Sequence, residues 1–279
     1  MTLNYDIRRE THAIGEFSAT LKFAGPVGTQ AFANVLVRLK EAADRLELPA
    51  PMNFQVLNFA IGDPNIPMPP PIAMNGGGFQ RFLPNGEIAC SLRCDPDSII
   101  FSLREYDRWH HVLPKIVETF AAIGEAYLSE IPAVRSFGVQ YLNELRSKTA
   151  EHRDATELFK SESKWIASFA SGSDEAWHCH VGQFLQTGEN QRYLVNVNCD
   201  IAPNIGPGEQ AAHNYVRVLI LAVRNYDLPD FGPLMVDVEN FASAIESNFN
   251  DAHSLEKCIL GQVISDDYLA IMGEGASEY

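Results

Sequence analysis

The sequence is poor in positive charge, with 21 lysine and arginine residues against 36 aspartate and glutamate residues and a net charge of −15 over 279 residues. Proteins that bind the phosphate backbone of nucleic acids usually carry a basic surface, so direct nucleic-acid binding is not expected. The sequence also has no apolar run close to the ~18 residues that a membrane-spanning helix requires. The N-terminal sequence MTLNYDIRRETH lacks the apolar segment of a signal peptide. We therefore predict a cytoplasmic protein with no membrane segment.

Disulfide spacing and catalytic motifs are missing as well. Five cysteines without regular spacing are typical of a reduced protein. The sequence has no G-x-S-x-G, H-E-x-x-H or C-x-x-C motif, and Gly76–Gly78 lacks the lysine that follows the glycines of a P-loop. The sequence therefore predicts no catalytic residue and no cofactor, and it favours a non-enzymatic protein without excluding an enzyme.

The acidic residues are unevenly distributed along the chain. Residues 201–279 hold three basic and twelve acidic residues, a net charge of −9. This charge is either a solvated helical face or a surface that attracts a basic partner.

Hydrophobic periodicity predicts alternating helices and strands in the first half. We expect a strand over 12–23, a helix over 29–47, a Pro- and Gly-rich loop over 62–78, an antiparallel meander over 78–103, a helix over 107–130 and a strand over 133–145. Within the meander, Asn85 and Gly86 predict a type I′ hairpin turn, in which both residues have positive φ.

The second half loosely repeats this arrangement. We expect a helix over 155–170, a hairpin over 176–186 and 191–201, a helix over 210–226, and a helical C-terminus with a final short helix that ends at Gly273. The fold class predicted is α+β, with antiparallel sheets, helices packed on one face and two similar β-α-β-type halves. These halves are 1–150 and 151–279, unless the chain forms one continuous domain.

The predicted hairpin contains the best candidate site. Its apolar residues occupy odd positions on both strands, so paired residue numbers must sum to an even value. With a loop over 188–190, Cys179 opposes Cys199, His178 opposes Asp200 and His180 opposes Asn198. One face then collects His178, His180, Asn196, Asn198 and Asp200.

This polar face has two interpretations. His178, His180 and Asp200 are candidate zinc ligands or an acid–base group. The two histidines are two positions apart, so they point to the same face of their strand, and the carboxylate on the opposite strand points to that face too. Alternatively, the face is a solvent-exposed or interface side of a half-buried hairpin. The second interpretation is favoured, because no further ligand is identifiable nearby in the sequence.

Tyr141 and Asn143 form a second candidate set on the strand over 133–145. Alternation places both on one strand face, where they are candidates for the floor of a pocket. With Asn196 and Asn198 they make up the predicted interaction residues.

Three short motifs resemble a known family. They are Tyr106-Asp107-Arg108-Trp109, the strand Phe137–Asn143 with its Gly-x-x-Tyr-x-Asn pattern, and the tail from His253 through Ser265-Asp266 to Met272-Gly273. Together they resemble a sporadically distributed family of small bacterial proteins with no assigned activity, sometimes encoded near defence or mobile-element genes. The family often has Arg where Gln140 stands. The resemblance implies a bacterial cytoplasmic protein and supplies no catalytic residue.

Two functions of different classes remain open after these observations. The first is a non-enzymatic interaction or regulatory component of a bacterial defence or toxin–antitoxin type system, which binds a partner protein through its acidic C-terminal half. The second is a metal- or ligand-binding enzyme or sensor that uses His178, His180 and Asp200. A homodimer is a further possibility, because the edge strands of an open sheet need cover.

Overall fold

The computed structural model describes most of the chain, in eight segments. These are residues 3–7, 12–55, 74–149, 154–167, 176–188, 191–204, 212–226 and 232–273. Among these residues, no helix is both long and apolar enough to cross a membrane.

Eleven strands of the described segments form one antiparallel sheet. They are β1 (Tyr5–Ile7), β2 (Ile14–Phe23), β3 (Ala50–Gln55), β4 (Met74–Phe82), β5 (Ile88–Asp95), β6 (Ser98–Leu103), β7 (Ala133–Ser147), β8 (Trp177–Gly188), β9 (Gln191–Asn204), β10 (His213–Asn225) and β11 (Leu234–Met235). Their order across the sheet is β3-β4-β5-β6-β2-β7-β10-β9-β8, while β1 and β11 pair with opposite ends of β7. The predicted α+β class with an antiparallel sheet is therefore confirmed.

Helices cover one face of this sheet. They are α1 (Thr29–Arg45), α2 (Trp109–Leu128), α3 (Val238–Val263) and the short α4 (Asp266–Ile271). Helix α1 packs on β4 and β5, α2 packs on β2 and β6, and α3 packs on β7 and β10. The three long helices also contact one another in the order α1-α2-α3, so they form a single layer.

Alternation along the strands decides which side chains enter the core between these two layers. In β7, Phe137, Val139, Tyr141 and Leu145 are fully buried, whereas Gln140, Leu142 and Glu144 point to the other face and stay partly exposed. The same alternation in β2, β9 and β10 produces one continuous core under the helices.

Most of the predicted elements are confirmed with small changes in their bounds. The helix over 29–47, the strands over 12–23 and 133–145, the hairpin of β8 and β9, and the C-terminal helices all appear. Helix α2 begins at Trp109 and contains Pro114 as its sixth residue. Strands β1, β3 and β11 are additional elements that periodicity did not predict.

The helix predicted over 210–226 is wrong, because this segment forms strand β10. Val216, Val218, Ile220 and Ala222 are buried at alternate positions, as in a strand. The alternation is hidden in the sequence because several residues between them are apolar too. Pairing with β7 on one side and β9 on the other overrides the apparent helical period.

The helix predicted over 155–170 is also wrong where the structure describes it. Only a short 3₁₀ turn, Thr156–Leu158, is present there. Tertiary hydrogen bonds replace the helical ones: the Lys160 N–H donates to the Val263 carbonyl at 3.0 Å, and the Ser265 N–H donates to the Leu158 carbonyl at 2.8 Å. With both predicted helices of the second half absent from these segments, the two similar β-α-β halves are not confirmed.

Two turn predictions in the first half are corrected. Residues 74–78 of the predicted loop belong to β4, and residues 62–73 lie outside the described segments. The hairpin turn lies where predicted, but only Gly86 has positive φ, at 85°. The Gly86 N–H donates to the Leu83 carbonyl at 2.9 Å, and the ring of Pro84 requires negative φ in the first turn position. The chain therefore does not use the predicted type I′ geometry.

Close packing of α2 against α3 makes Gly124 a test of the helical layer. A Cβ at Gly124 would overlap the ring of Phe241, which is buried. We expect Gly124→Ala to lower the free energy of unfolding by about 1–3 kcal/mol, as overpacking does. Denaturant unfolding followed by circular dichroism measures the change.

Gly261 of α3 provides the matched control. A Cβ there meets no atom within 4 Å, so Gly261→Ala should raise the free energy of unfolding by about 0.5–1 kcal/mol through helix propensity. Equal effects of the two substitutions would contradict the packing of α2 on α3.

Candidate functional site

The predicted register of the β8–β9 hairpin is confirmed. Cys179 opposes Cys199, His178 opposes Asp200 and His180 opposes Asn198. Trp177, Cys179 and Cys199 are buried, whereas His178 and His180 are exposed. Of the predicted loop over 188–190, Gly188 instead ends β8 and pairs with Gln191, and residues 189 and 190 lie outside the described segments.

The polar side of the hairpin belongs to the sheet face opposite the helices. Asn196, Asn198 and Asp200 are partly exposed on this face. No described helix packs on it, because α1, α2 and α3 all contact the sheet from the other side. We call this surface the bare face; it is defined by the even-numbered residues of β7, β8 and β9 together with the odd-numbered residues of β10.

A row of ionisable side chains crosses four strands of the bare face. The register places His178, Asp200, Arg217 and Glu144 side by side on β8, β9, β10 and β7. Asp200 forms an ion pair with Arg217, with 3.4 Å between Oδ1 and Nε. The carboxylate beside His178 therefore already has a cationic neighbour.

This arrangement bears on the predicted metal ligands. His178, His180 and Asp200 share the face as expected, but among the described residues no three His, Cys, Asp or Glu side chains are grouped closely enough to hold a metal ion. Zinc sites in proteins use at least three protein ligands. The hairpin alone thus offers an incomplete ligand set.

Apolar side chains form a second feature of the bare face. We call them the leucine stripe: Leu142, Phe184, Leu194, Leu219, Leu221 and Val223. Leu219 opposes Leu142, and Leu194 lies between Phe184 and Val223. Five of the six are partly buried and Phe184 is 56% exposed, yet none belongs to the core or packs against it. The stripe is therefore separate from the hydrophobic core of the molecule.

Sequence reasoning missed the leucine stripe because it assigned Leu219 and Leu221 to a helix. The signal that could have found it is the density of β-branched residues around them, at Val216, Val218 and Ile220. As a strand, the segment has apolar residues on both faces, unlike the apolar and polar alternation of a strand with one solvated face.

Tyr141 and Asn143 lie on the other side of the sheet from the other predicted interaction residues. They are 0% and 1% exposed under the helices, whereas Asn196 and Asn198 are on the bare face. The four residues therefore do not form one surface.

Tyr141 instead joins the three motifs of the family resemblance in one cluster. Its hydroxyl is 2.8 Å from Nδ1 of His253 on α3. The indole of Trp109 stacks on the His253 ring, with 4.4 Å between centroids and 18° between planes. Tyr106 lies edge-on to Tyr141 at 5.7 Å. Each motif is short, but the fold brings all of them together where α2, α3 and β7 meet.

Burial keeps His253 neutral within this cluster. Loss of solvent, together with the nearby cationic Lys257, lowers the pKa of His253 from 6.5 to about 3. In the neutral ring Nδ1 accepts a hydrogen bond from the Tyr141 hydroxyl, which places the ring proton on Nε2. The Trp109 Nε1–H donates to Asn250 at 2.8 Å, so α2 and α3 are also joined by a hydrogen bond. The cluster fixes the N-terminal end of α2 against α3 and β7.

Several acidic residues of the C-terminal half have structural partners. Seven of the twelve in 201–279 lie in described segments. Asp237 caps α3 by accepting from the Asn240 N–H at 2.9 Å, Asp251 pairs with Arg224 at 3.2 Å, and Asp266 pairs with Lys160 at 2.8 Å. Glu256 is fully buried. Glu239, Glu246 and Asp267 are exposed.

Comparison with known proteins gives no matching family model and no matching curated protein. The family resemblance of the three motifs therefore stays an expectation.

The lowered pKa of His253 predicts a pH dependence of stability. Between about pH 3 and 6.5 the unfolded chain binds a proton that the folded protein excludes. The contribution is complete above pH 6.5 and is lost as the pH falls toward 3, by up to about 1.4 kcal/mol per pH unit. We expect the free energy of unfolding to fall from pH 7 to pH 5 by about 2 kcal/mol more in the wild type than in His253→Asn.

Denaturant unfolding of both proteins at the two pH values measures this difference. Asn keeps an acceptor for the Tyr141 hydroxyl but does not titrate, so other ionisable groups cancel in the comparison. Parallel pH profiles of the two proteins would show that His253 is not held neutral.

The incomplete ligand set predicts weak zinc binding by the hairpin. After incubation with zinc and dialysis, we expect less than one equivalent of bound metal, with no difference between the wild type and a His178→Ala/His180→Ala variant. Elemental analysis measures the metal content. One equivalent of zinc that is lost in the double variant would instead support the metal site.

Proposed function

We propose that this protein is a non-enzymatic interaction component, and that it binds a partner protein on the bare face of its sheet. The leucine stripe is the observation that carries the proposal. Contiguous apolar side chains outside the core are uncommon on a solvated sheet face and typically mark protein-interaction sites. Most of the stripe, on β8, β9 and β10, belongs to the predicted C-terminal half.

The surroundings of the stripe resemble the plan of a protein interface. An apolar centre is bordered by polar and charged groups, as in interfaces with a polar rim. Asp200 and Arg217 border the stripe on one side, and the Arg192 guanidinium lies 4.6 Å from the centre of the Phe184 ring near its end. The centre supplies burial, and the charged groups supply orientation and specificity.

The net charge favours a basic partner over a second copy of this chain. At −15, two copies repel one another at long range, whereas a basic protein is attracted. This proposal moves the contact surface from the acidic helices to the sheet, since several described acidic residues of the helices already have structural partners. A toxin or defence effector is the partner class that the family resemblance implies.

A metal- or ligand-binding enzyme or sensor is the second candidate. The observation that favours it is the register, which places His178 opposite Asp200 on an accessible face. The zinc measurement above distinguishes it from the first candidate, since partner binding requires no metal.

Substitution within the stripe tests the proposal. Leu221 lies at the centre of the stripe and outside the core, so Leu221→Lys should fold and yet place a cation against a basic partner. In co-purification from the native host, we expect a partner retained by the wild type, with an at least tenfold higher dissociation constant for Leu221→Lys, or about 1.4 kcal/mol.

Val37→Lys provides the matched control. Val37 is 59% exposed on α1, on the helical side of the molecule, and this substitution adds the same charge without changing the stripe. The proposal fails if both variants bind the partner equally, if no partner is retained at micromolar concentration, or if light scattering shows that the stripe holds a second copy of this chain.

A further inference from the structure

Cys179 and Cys199 form a facing pair at the edge of the sheet. They are direct partners in the β8–β9 register, and β8 is the last strand in the sheet order. Cα atoms of opposed residues in an antiparallel ladder are about 4.5–5.5 Å apart. Disulfides span about 4.4–6.8 Å between Cα atoms, so a bond between these two residues requires no rearrangement of the strands.

The other cysteines do not share this geometry. Cys90 and Cys94 lie on the same strand, four residues apart, which separates them by about 13 Å. Cys258 lies on α3. All five cysteines are present as free thiols.

The two sulfurs of the pair have different surroundings. Cys179 accepts hydrogen bonds from the Cys199 thiol and from the backbone N–H groups of Ala167 and Cys199, and His178 is nearby. These donors lower the pKa of Cys179 to about 6 against the opposing effect of burial. The hydrogen bond that the Cys199 thiol donates to Cys179, together with burial, raises the pKa of Cys199. The surroundings thus favour the thiolate form at Cys179 and the thiol form at Cys199.

Simple core packing does not account for this difference. Buried thiols that only fill space have raised pKa values, because apolar surroundings disfavour the thiolate. Three donors directed at one sulfur produce the opposite effect on Cys179. Reactive cysteines with a neighbouring resolving thiol show the same asymmetry.

We propose that Cys179 and Cys199 are an oxidisable dithiol, in which Cys179 reacts with a small hydroperoxide and Cys199 resolves the product to a disulfide. Cys179 is 6% exposed and Cys199 is fully buried, so a small oxidant can reach only the first sulfur and a bulky one is excluded. The position of Cys179 on the edge strand leaves it closer to solvent than Cys199, which lies between two strands.

The reaction has two balanced steps. The Cys179 thiolate attacks the terminal oxygen of the hydroperoxide, so that an S–O bond forms and the O–O bond breaks. The leaving alkoxide, or hydroxide in the case of hydrogen peroxide, takes up a proton to become an alcohol or water. The Cys199 sulfur then attacks the sulfenic acid of Cys179. An S–S bond forms, the S–O bond breaks, and the hydroxide leaves as water with the Cys199 proton. The two thiols lose two electrons and the hydroperoxide gains them.

The disulfide would join β8 covalently to β9 on the side of the sheet opposite the leucine stripe. Because the two cysteines already face each other in the reduced protein, oxidation should stabilise the edge strand without moving the side chains of the bare face. The proposal concerns the cysteine pair alone and stands independently of partner binding.

Hydrogen peroxide added to the reduced wild-type protein is the test. Mass spectrometry should show the loss of two hydrogens, and peptide mapping should show a bond between Cys179 and Cys199. The oxidation rate should be nearly constant between pH 7 and 8, because Cys179 is already ionised there, whereas an ordinary thiol would react several-fold faster at pH 8.

Single substitutions assign the two roles. Cys199→Ser should stop at the sulfenic acid, which dimedone traps at residue 179, while Cys179→Ser should give no trapped product at residue 199. Cys258→Ser is the matched control and should keep the disulfide. The proposal would be overturned if Cys258 of the wild-type protein reacts while Cys179 and Cys199 stay reduced. This outcome is measured on the wild type and does not require any variant to fold.

Discussion

Strand β7 is the element on which the architecture depends. Its 15 residues pair with β2 along one edge and β10 along the other, and its two ends hold β1 and β11. Its inward-facing residues also form the floor on which α3 packs. Because this strand forms backbone hydrogen bonds with both neighbours, the meander of the first half and the hairpin of the second half belong to a single sheet with a single core.

The helical layer on one side gives the two faces of this sheet different chemistry. Under the helices, the Tyr141 hydroxyl is buried with His253 as its hydrogen-bond partner; an unpaired polar group there would cost about 1–3 kcal/mol. On the bare face, a row of apolar side chains lies outside the core, and no described helix covers it. The leucine stripe is therefore the basis of the proposed contact with another molecule.

Much of the fold could be predicted because periodicity and turn chemistry are local properties. The β8–β9 register followed from the parity of apolar residues around Cys179 and Cys199, and the C-terminal helix followed from its repeating apolar positions. The prediction failed where local patterns are ambiguous. Leu219 and Leu221 make β10 apolar on both faces, which resembles a buried helix, and the segment near Leu158 takes its hydrogen bonds from the end of α3 instead of from itself.

The antiparallel α+β class, the hairpin register and the polar set around His178 and Asp200 could be derived from the amino-acid sequence, since each depends on neighbours along one or two strands. Three features required the folded chain: the sheet face that stays bare, the cluster of Tyr141, Trp109 and His253, and the Ala167 N–H that points at the Cys179 sulfur. These contacts join residues distant in the chain, and the packing that selects them depends on the whole core.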